Sequence, residues 1–189
     1  METRMRKMTT FLFLTLNGFY KGLNNDISWH NHGEEGNAYS ERQLEAGNIF
    51  LFGRRTYEMM YSFWPTRMAY DQFPKVAEGM NSAEKCVISN SLKTADWNNS
   101  KIISRDAVHQ IIQHKQSSGK NITILGSGSV ITQLTEERMI DEYQLLIDPT
   151  AIGKGTPLFE NISQRLDLEL IDSNVFKNSG SVLLTYKTI

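Results

Sequence analysis

The chain has 189 residues, 20 Lys plus Arg against 21 Asp plus Glu, and a formal net charge of -1. That length suits one domain whose core needs neither disulfide nor metal, and the balanced charge excludes a global field for nucleic acid or an anionic membrane. The single cysteine, Cys86, excludes a disulfide framework within one chain and is compatible with a reducing cytoplasm.

Arg6 and Lys7 precede an apolar run from Phe11 to Leu16, a superficial signal-peptide pattern. The run is short, no small-residue cleavage site follows, and Asn17-Gly18 stops it as a turn does, so it reads as the first strand, Thr10 to Leu16. The next segment, Gly18 to Gly36, is polar and punctuated by glycine, and reads as a long binding loop or lid, with a plain surface excursion as the alternative. A helix is expected over Ser40 to Ala46, capped by Ser40, and a strand over Asn48 to Phe52.

That strand empties into Gly53-Arg54-Arg55-Thr56 at the start of a helix expected over Arg54 to Tyr61. A helix N-terminus offers unpaired N–H groups and partial positive charge, and two guanidinium forks beside it suit a phosphate. The alternative is a pair of exposed arginines partnered by Glu58, but cations there oppose the helix dipole. The aromatic loop Ser62 to Arg67 either lines a pocket or covers the core. Strands follow at Lys85 to Ser89 and Lys101 to Ile103. A helix over Arg105 to Gln116, with Ser104 as cap, has an apolar face of Val108, Ile111 and Ile112.

A second strand, Asn121 to Leu125, empties into Gly126-Ser127-Gly128-Ser129 and a helix over Ser129 to Glu136. These small residues let backbone approach a ligand closely, or simply make a tight turn capped by Ser127 or Ser129. Two phosphate-friendly turns suggest a dinucleotide. Strands at Asp141 to Ile147, Leu166 to Phe176 and Ser181 to Tyr186 complete the chain. The last two form a hairpin through Asn178-Ser179-Gly180. Alternating strands and helices define a layered α/β domain with a mixed sheet.

Other chemistries fit less well. His30 and His32 with Glu34 or Glu35 contain metal-binding residue types, but no third histidine lies at ligand spacing, so surface histidines are favoured and no metal is expected. The turn after residue 125 has no Gly-x-Ser-x-Gly frame for a nucleophile elbow, and neither glycine turn carries Gly-Lys-Ser/Thr.

In order and spacing, Thr15-Leu16-Asn17-Gly18-Phe19, Asp26-Ile27-Ser28-Trp29, Leu51 to Glu58, Gly126 to Ser129 and Ile152-Gly153-Lys154-Gly155-Thr156-Pro157-Leu158-Phe159 resemble the dihydrofolate-reductase-like superfamily. The branch they most resemble holds the reductase domain of the bifunctional riboflavin-biosynthesis deaminase/reductase and its stand-alone relatives. The resemblance implies a three-layer fold, a mixed and mostly parallel sheet with an antiparallel C-terminal hairpin and helices on both faces.

It also implies NADPH along the carboxyl edge of the sheet, with NADH not excluded, and hydride transfer to a C=N or C=C bond of a pteridine-like or aminopyrimidine substrate. Gly53, Arg54, Arg55 and Thr56 are then assigned to cofactor phosphates, and Gly126, Ser127, Gly128, Ser129 and Val130 to the pyrophosphate or nicotinamide half. Ser89 and Asn90 flank the adenosine, where relatives often carry arginine in place of Asn90.

The segment from Asn17 through Ile27 to Trp29 corresponds to the lid. Asn17 stands where many relatives have aspartate. Glu34 and Glu35 are the candidates for the carboxylate that assists ring protonation. One cysteine leaves no room for the paired cysteines of a zinc deaminase domain, so a stand-alone reductase is implied, with a homodimer expected from the likeness. The alternative is a nucleotide-binding or ligand-sensing protein on the same fold without turnover.

Overall fold

The protein is described by a computed structural model over residues 5–189. Its strands are β1 (Met8–Thr15), β2 (Phe19–Gly22), β3 (Ile49–Gly53), β4 (Lys85–Ile88), β5 (Ser100–Ile103), β6 (Ile122–Ile124), β7 (Glu142–Asp148), β8 (Gly155–Pro157), β9 (Leu168–Phe176) and β10 (Ser181–Thr188). Its helices are α1 (Gly33–Glu45), α2 (Arg54–Phe63), α3 (Arg67–Gln72), α4 (Pro74–Ser82), α5 (Ala107–Gln116) and α6 (Gly128–Glu136).

Eight strands form one sheet in the order β5-β4-β3-β6-β1-β7-β10-β9, and β2 and β8 form a separate antiparallel pair. The pairings from β5 to β7 are parallel, and β10 runs antiparallel to both β7 and β9. This is the mixed sheet with an antiparallel C-terminal hairpin that the sequence predicts.

The period-2 alternation of strand side chains sorts the core onto two faces. All five residues of β3 are buried, as a central parallel strand requires. Ile49 and Leu51 join a cluster with Leu12, Ile124, Ile111 and Ile131, which brings α5 and α6 to that face. Phe50 and Phe52 join Tyr57, Val76, Met80 and Trp97, which brings α2 and α4 to the other. Phe11 and Phe13, which alternate with Leu12 and Leu14, pack with Tyr39 of α1, Leu146 and Phe176. Each such side chain fully buried contributes about 1.5–3 kcal/mol, so the sheet is held from both sides.

Several expectations are corrected. The segment from 18 to 36 is not structureless: it contains β2, a single 3-10 turn at Leu23–Asn25 and the start of α1. Helix α1 begins at Gly33, so Ser40 is an interior residue and not a cap. Ser104 does not cap α5, because Arg105 and Asp106 intervene at φ of 52° and 41°. Helices α3 and α4 were not expected. Thr66 caps α3 by accepting from the Ala69 N–H, and Pro74 opens α4 at a position where its missing N–H costs nothing.

Candidate functional site

Because β1, β3, β4, β6 and β7 run parallel, their carboxyl ends lie along one edge, where open α/β sheets bind ligands. β6 pairs with β1 on one side and β3 on the other, so the turns after β3 and β6 are neighbours. The Gly53 N–H donates to the Gly126 carbonyl at 2.9 Å. A Cβ on Gly53 would lie 2.6 Å from Ser127 Oγ, so the approach needs glycine. Thr56 stands over Gly126, its Oγ1 3.3 Å from where a Cβ there would be, and the Gly126–Ser127 peptide is cis.

Neither α2 nor α6 receives a side-chain cap. Gly53 has none to offer, and Ser127 Oγ pairs with Ser129 Oγ at 2.9 Å instead. Two helix N-termini with free N–H groups therefore open side by side. The Tyr20 ring from β2 lies on Gly128, with Cε1 2.4 Å from the position of a Cβ. Lys21, the next residue, donates to Asn25 Oδ1 at 2.9 Å, and Arg55 reaches the same oxygen at 3.4 Å.

Burial, and then the positive charge of Arg55, lower the Lys21 pKa. Two cations face one neutral acceptor, an arrangement that an anion would relieve. Arg54 is placed differently, with its Nη1 3.0 Å from both Glu58 oxygens. Arg55 and Lys21 thus carry the available charge, and Lys21 is a residue that the sequence reading did not single out.

The turns open into a cleft of about 1300 Å³. One end is lined by Tyr20, Lys21, Arg54, Arg55, Thr56 and the residues from Gly126 to Gly128, and the rest combines an apolar wall of Phe11, Phe50, Met60, Phe63 and Trp64 with polar residues such as His30, Asn37 and Gln43. The aromatic segment from Ser62 to Arg67 therefore lines the pocket through Phe63, the last residue of α2, and Trp64 just after it. Ile27 and Glu34 also border the cleft, Glu34 as an exposed residue of the first turn of α1. Glu35 is directed elsewhere: its Oε2 accepts from the Asn178 N–H at 2.8 Å and tethers the β9–β10 turn.

Other candidates have structural contacts. Asn17 accepts from Thr15 Oγ1 at 2.9 Å and donates to the Ile152 carbonyl at 2.8 Å, joining the end of β1 to the loop before β8. Trp29 packs edge-on against Phe13 and His30. Ser89 Oγ accepts from the N–H groups of Ser91 and Leu92, and Asn90 Oδ1 accepts from the Arg105 N–H. Both sit at the carboxyl end of β4 but do not border the cleft. Val130 is buried in the core, and Ser129 is exposed beyond the Ser127 contact.

The two histidines expected on the surface are instead ordered in the cleft wall. His30 Nδ1 lies 2.7 Å from Asp148 Oδ2, with side-chain exposures of 9% and 2%. Phe13 stacks on the imidazole at 3.9 Å and 5°. His30 Nε2 is 3.2 Å from His32 Nδ1, and His32 Nε2 is 3.1 Å from Ser40 Oγ. Asp148 is 118 residues from His30, so local sequence gave no signal of the pair. Among the described residues no group of three His, Cys, Asp or Glu side chains is placed to hold a metal ion.

An eight-stranded mixed sheet flanked by helices, with glycine turns, uncapped helix ends and basic side chains at its carboxyl edge, is a dihydrofolate-reductase-like architecture. The structure aligns with dihydrofolate reductase from Enterococcus faecalis at a TM-score of 0.63 and 13% identity, over 96% of both chains. A crystal structure of a Shewanella sp. PV-4 protein, provisionally named a riboflavin biosynthesis protein, aligns at a TM-score of 0.73 and 21% identity over 97% of this chain and 99% of that one.

The chain belongs to the RibD C-terminal domain family, whose model matches residues 6–180. The uncharacterized Bacillus subtilis protein YyaP is 27% identical over 183 residues, 97% of this chain and 95% of its own length.

Proposed function

We propose that the protein is an NADPH-dependent reductase that transfers hydride to a C=N or C=C bond of a small nitrogen heterocycle. The observation that carries this reading is the junction of the Gly53 and Gly126 turns, where two uncapped helix N-termini meet beside Lys21 and Arg55. A dinucleotide fits these groups. Its phosphates would be held by Arg55, Lys21, Thr56 and the N–H groups of α2 and α6, and the missing Cβ atoms of Gly53 and Gly126 let the two turns pack closely enough for both helix ends to face one ligand.

When bound, the cofactor supplies the hydride. The chain itself excludes water through Phe11, Phe50, Phe63 and Trp64 and orients a flat ring against that apolar wall. Reduction of a C=N bond leaves a nitrogen that takes a proton. Of the two carboxylates considered, only Glu34 borders the cleft.

The test is titration with NADPH and NADH, followed by nicotinamide fluorescence and tryptophan quenching, and repeated with Arg54→Ala/Arg55→Ala. Selective NADPH binding lost in the double variant supports the reading, and cofactor oxidation with a pteridine and aminopyrimidine panel then defines the substrate. Absence of binding by either nucleotide overturns it.

A further inference from the structure

We propose that Ser40, His32, His30 and Asp148 form a proton relay that runs from the cleft to a buried carboxylate and exchanges one proton with a ligand bound there. The use of that proton in reduction rests on the reductase reading above; the relay itself rests on geometry alone. Three contacts at 3.1, 3.2 and 2.7 Å join four side chains contributed by α1, the segment before it and β7. His30, His32 and Ser40 all border the cleft, whereas Asp148 is closed off and also accepts from Ser181 Oγ at 2.9 Å.

The donor and acceptor roles are forced once Asp148 is ionised. Its carboxylate only accepts, so His30 carries hydrogen on Nδ1. In the neutral state His30 Nε2 is then an acceptor, His32 must donate from Nδ1, and His32 Nε2 accepts from the Ser40 hydroxyl. Every bond points toward Asp148. One added proton reverses the outer bonds together: His30 Nε2–H donates to His32 Nδ1, His32 Nε2–H donates to Ser40 Oγ, and the hydroxyl hydrogen is released toward the cleft. The positive charge resides on His30, which has the carboxylate on one side and the Phe13 ring on its face.

For a C=N substrate the balance closes. The carbon gains the hydride, the π pair moves to nitrogen, and nitrogen takes the hydrogen of Ser40 Oγ. His32 Nε2 replaces that hydrogen, His32 Nδ1 takes the hydrogen of His30 Nε2, and the relay returns to its neutral state. Solvent supplies the next proton. The charged groups around the relay are Asp148 of β7 and Glu34 and Glu35 of the first turn of α1, Glu35 being tethered to Asn178. Phe13 of β1 and Ser181 of β10 contribute no charge. His32 packs against Gly36, where a Cβ would lie 3.2 Å from the ring, so the helix backbone fixes the middle of the relay.

The relay is read by ring-nitrogen spectra of the full chain labelled with 15N at its four histidines. His30 and His32 are expected as Nδ1–H tautomers in the neutral state, and acidification is expected to add about one proton to the pair, moving both rings through one shared transition. Asp148→Asn splits that transition. Ser40→Ala, the milder variant, keeps both tautomers and shifts only the His32 Nε2 signal. An Nε2–H tautomer for His32 while the relay is in its neutral state, two independent transitions, or no response of His32 Nε2 to Ser40→Ala overturns the proposal.

Exchange with the cleft is read separately, as proton uptake by calorimetry in two buffers at about pH 6.5. The oxidised nicotinamide ring is cationic and the reduced ring is neutral, so NADPH is expected to draw more protons than NADP+, with the difference lost in His32→Gln. Equal uptake overturns the exchange with this ligand. Failure of both nucleotides to bind is a failure of the reductase reading, and the ring spectra decide the relay in either case.

Discussion

The Gly53 N–H donates to the Gly126 carbonyl at 2.9 Å, although 73 residues separate the two turns. That bond makes one surface of two loops: the N-termini of α2 and α6 share a seam, and a ligand that spans it touches both at once. Four expected outcomes follow from this arrangement and from the buried groups around it.

Arg55→Ala is expected to weaken NADPH binding by about ten- to a hundredfold, the loss of a hydrogen bond to a charged group worth ~1.5–3 kcal/mol. Arg54→Ala is expected to do less, because Glu58 already holds that guanidinium with two contacts at 3.0 Å. Equal effects of the two variants in a fluorescence titration would contradict the assignment of the free charge to Arg55.

Gly53→Ala places a methyl 2.6 Å from Ser127 Oγ and 3.1 Å from Val130 Cγ2. Overpacking at a buried backbone contact costs about 1–3 kcal/mol, so a lower urea midpoint is expected. Because the methyl wedges the two turns apart, nucleotide affinity falls as well. Unchanged affinity in a variant that remains folded would show that the seam does not bind the ligand.

His32 is pulled below the usual imidazole value by burial first, and then by the neighbouring His30. The sign is that of a depressed base: below about pH 6.5 the unfolded chain gains a proton that the native ring resists, so stability is full above that value and declines on acidification. His32→Gln is expected to flatten that acid limb. Urea unfolding at a series of pH values from neutral downward measures it, and a limb of the same slope in the variant would contradict the assignment.

Lys85 is 1% exposed, and its Nζ donates to the carbonyls of Asn81, Ala83 and Asn98 while lying 4.5 Å from the Trp97 ring centroid. Burial lowers its pKa from 10.5 to about 8. Between those values the unfolded chain binds the extra proton, so stability is expected to rise with pH there. Lys85→Met removes the rise and leaves three acceptors without their donor, at ~1–3 kcal/mol for each that finds no replacement. Denaturant curves at pH 7 and pH 10 for both proteins separate the two effects.

The central strands were legible because they are apolar runs with a clean stop, as in Ile49 to Phe52 before Gly53. The two phosphate-type turns were legible for the same reason, since glycine after a buried strand leaves a local mark. What escaped was set by distant contacts. β2 and β8 are four and three residues long and exist through their mutual pairing. Lys21 gains its meaning from Arg55, and His30 from Asp148, which no periodicity connects. Glu35 looked equivalent to Glu34 until the Asn178 contact separated them. In α1, polar residues and an early glycine hid the first two turns of the helix.

The position of β6 also bears on how the chain assembles. Among the described residues its strand partners are β1 and β3, and residues 54–121, which carry β4 and β5, precede it in the chain. Nascent β1 and β3 therefore have no direct pairing to rest on, and a slot must stay open between them until Ile122–Ile124 slides in. Such late, non-local closure is slow and leaves strand edges exposed to association while it waits. Insertion of β6 thus joins β1 to β3 and brings the Gly53 and Gly126 turns together in the same step.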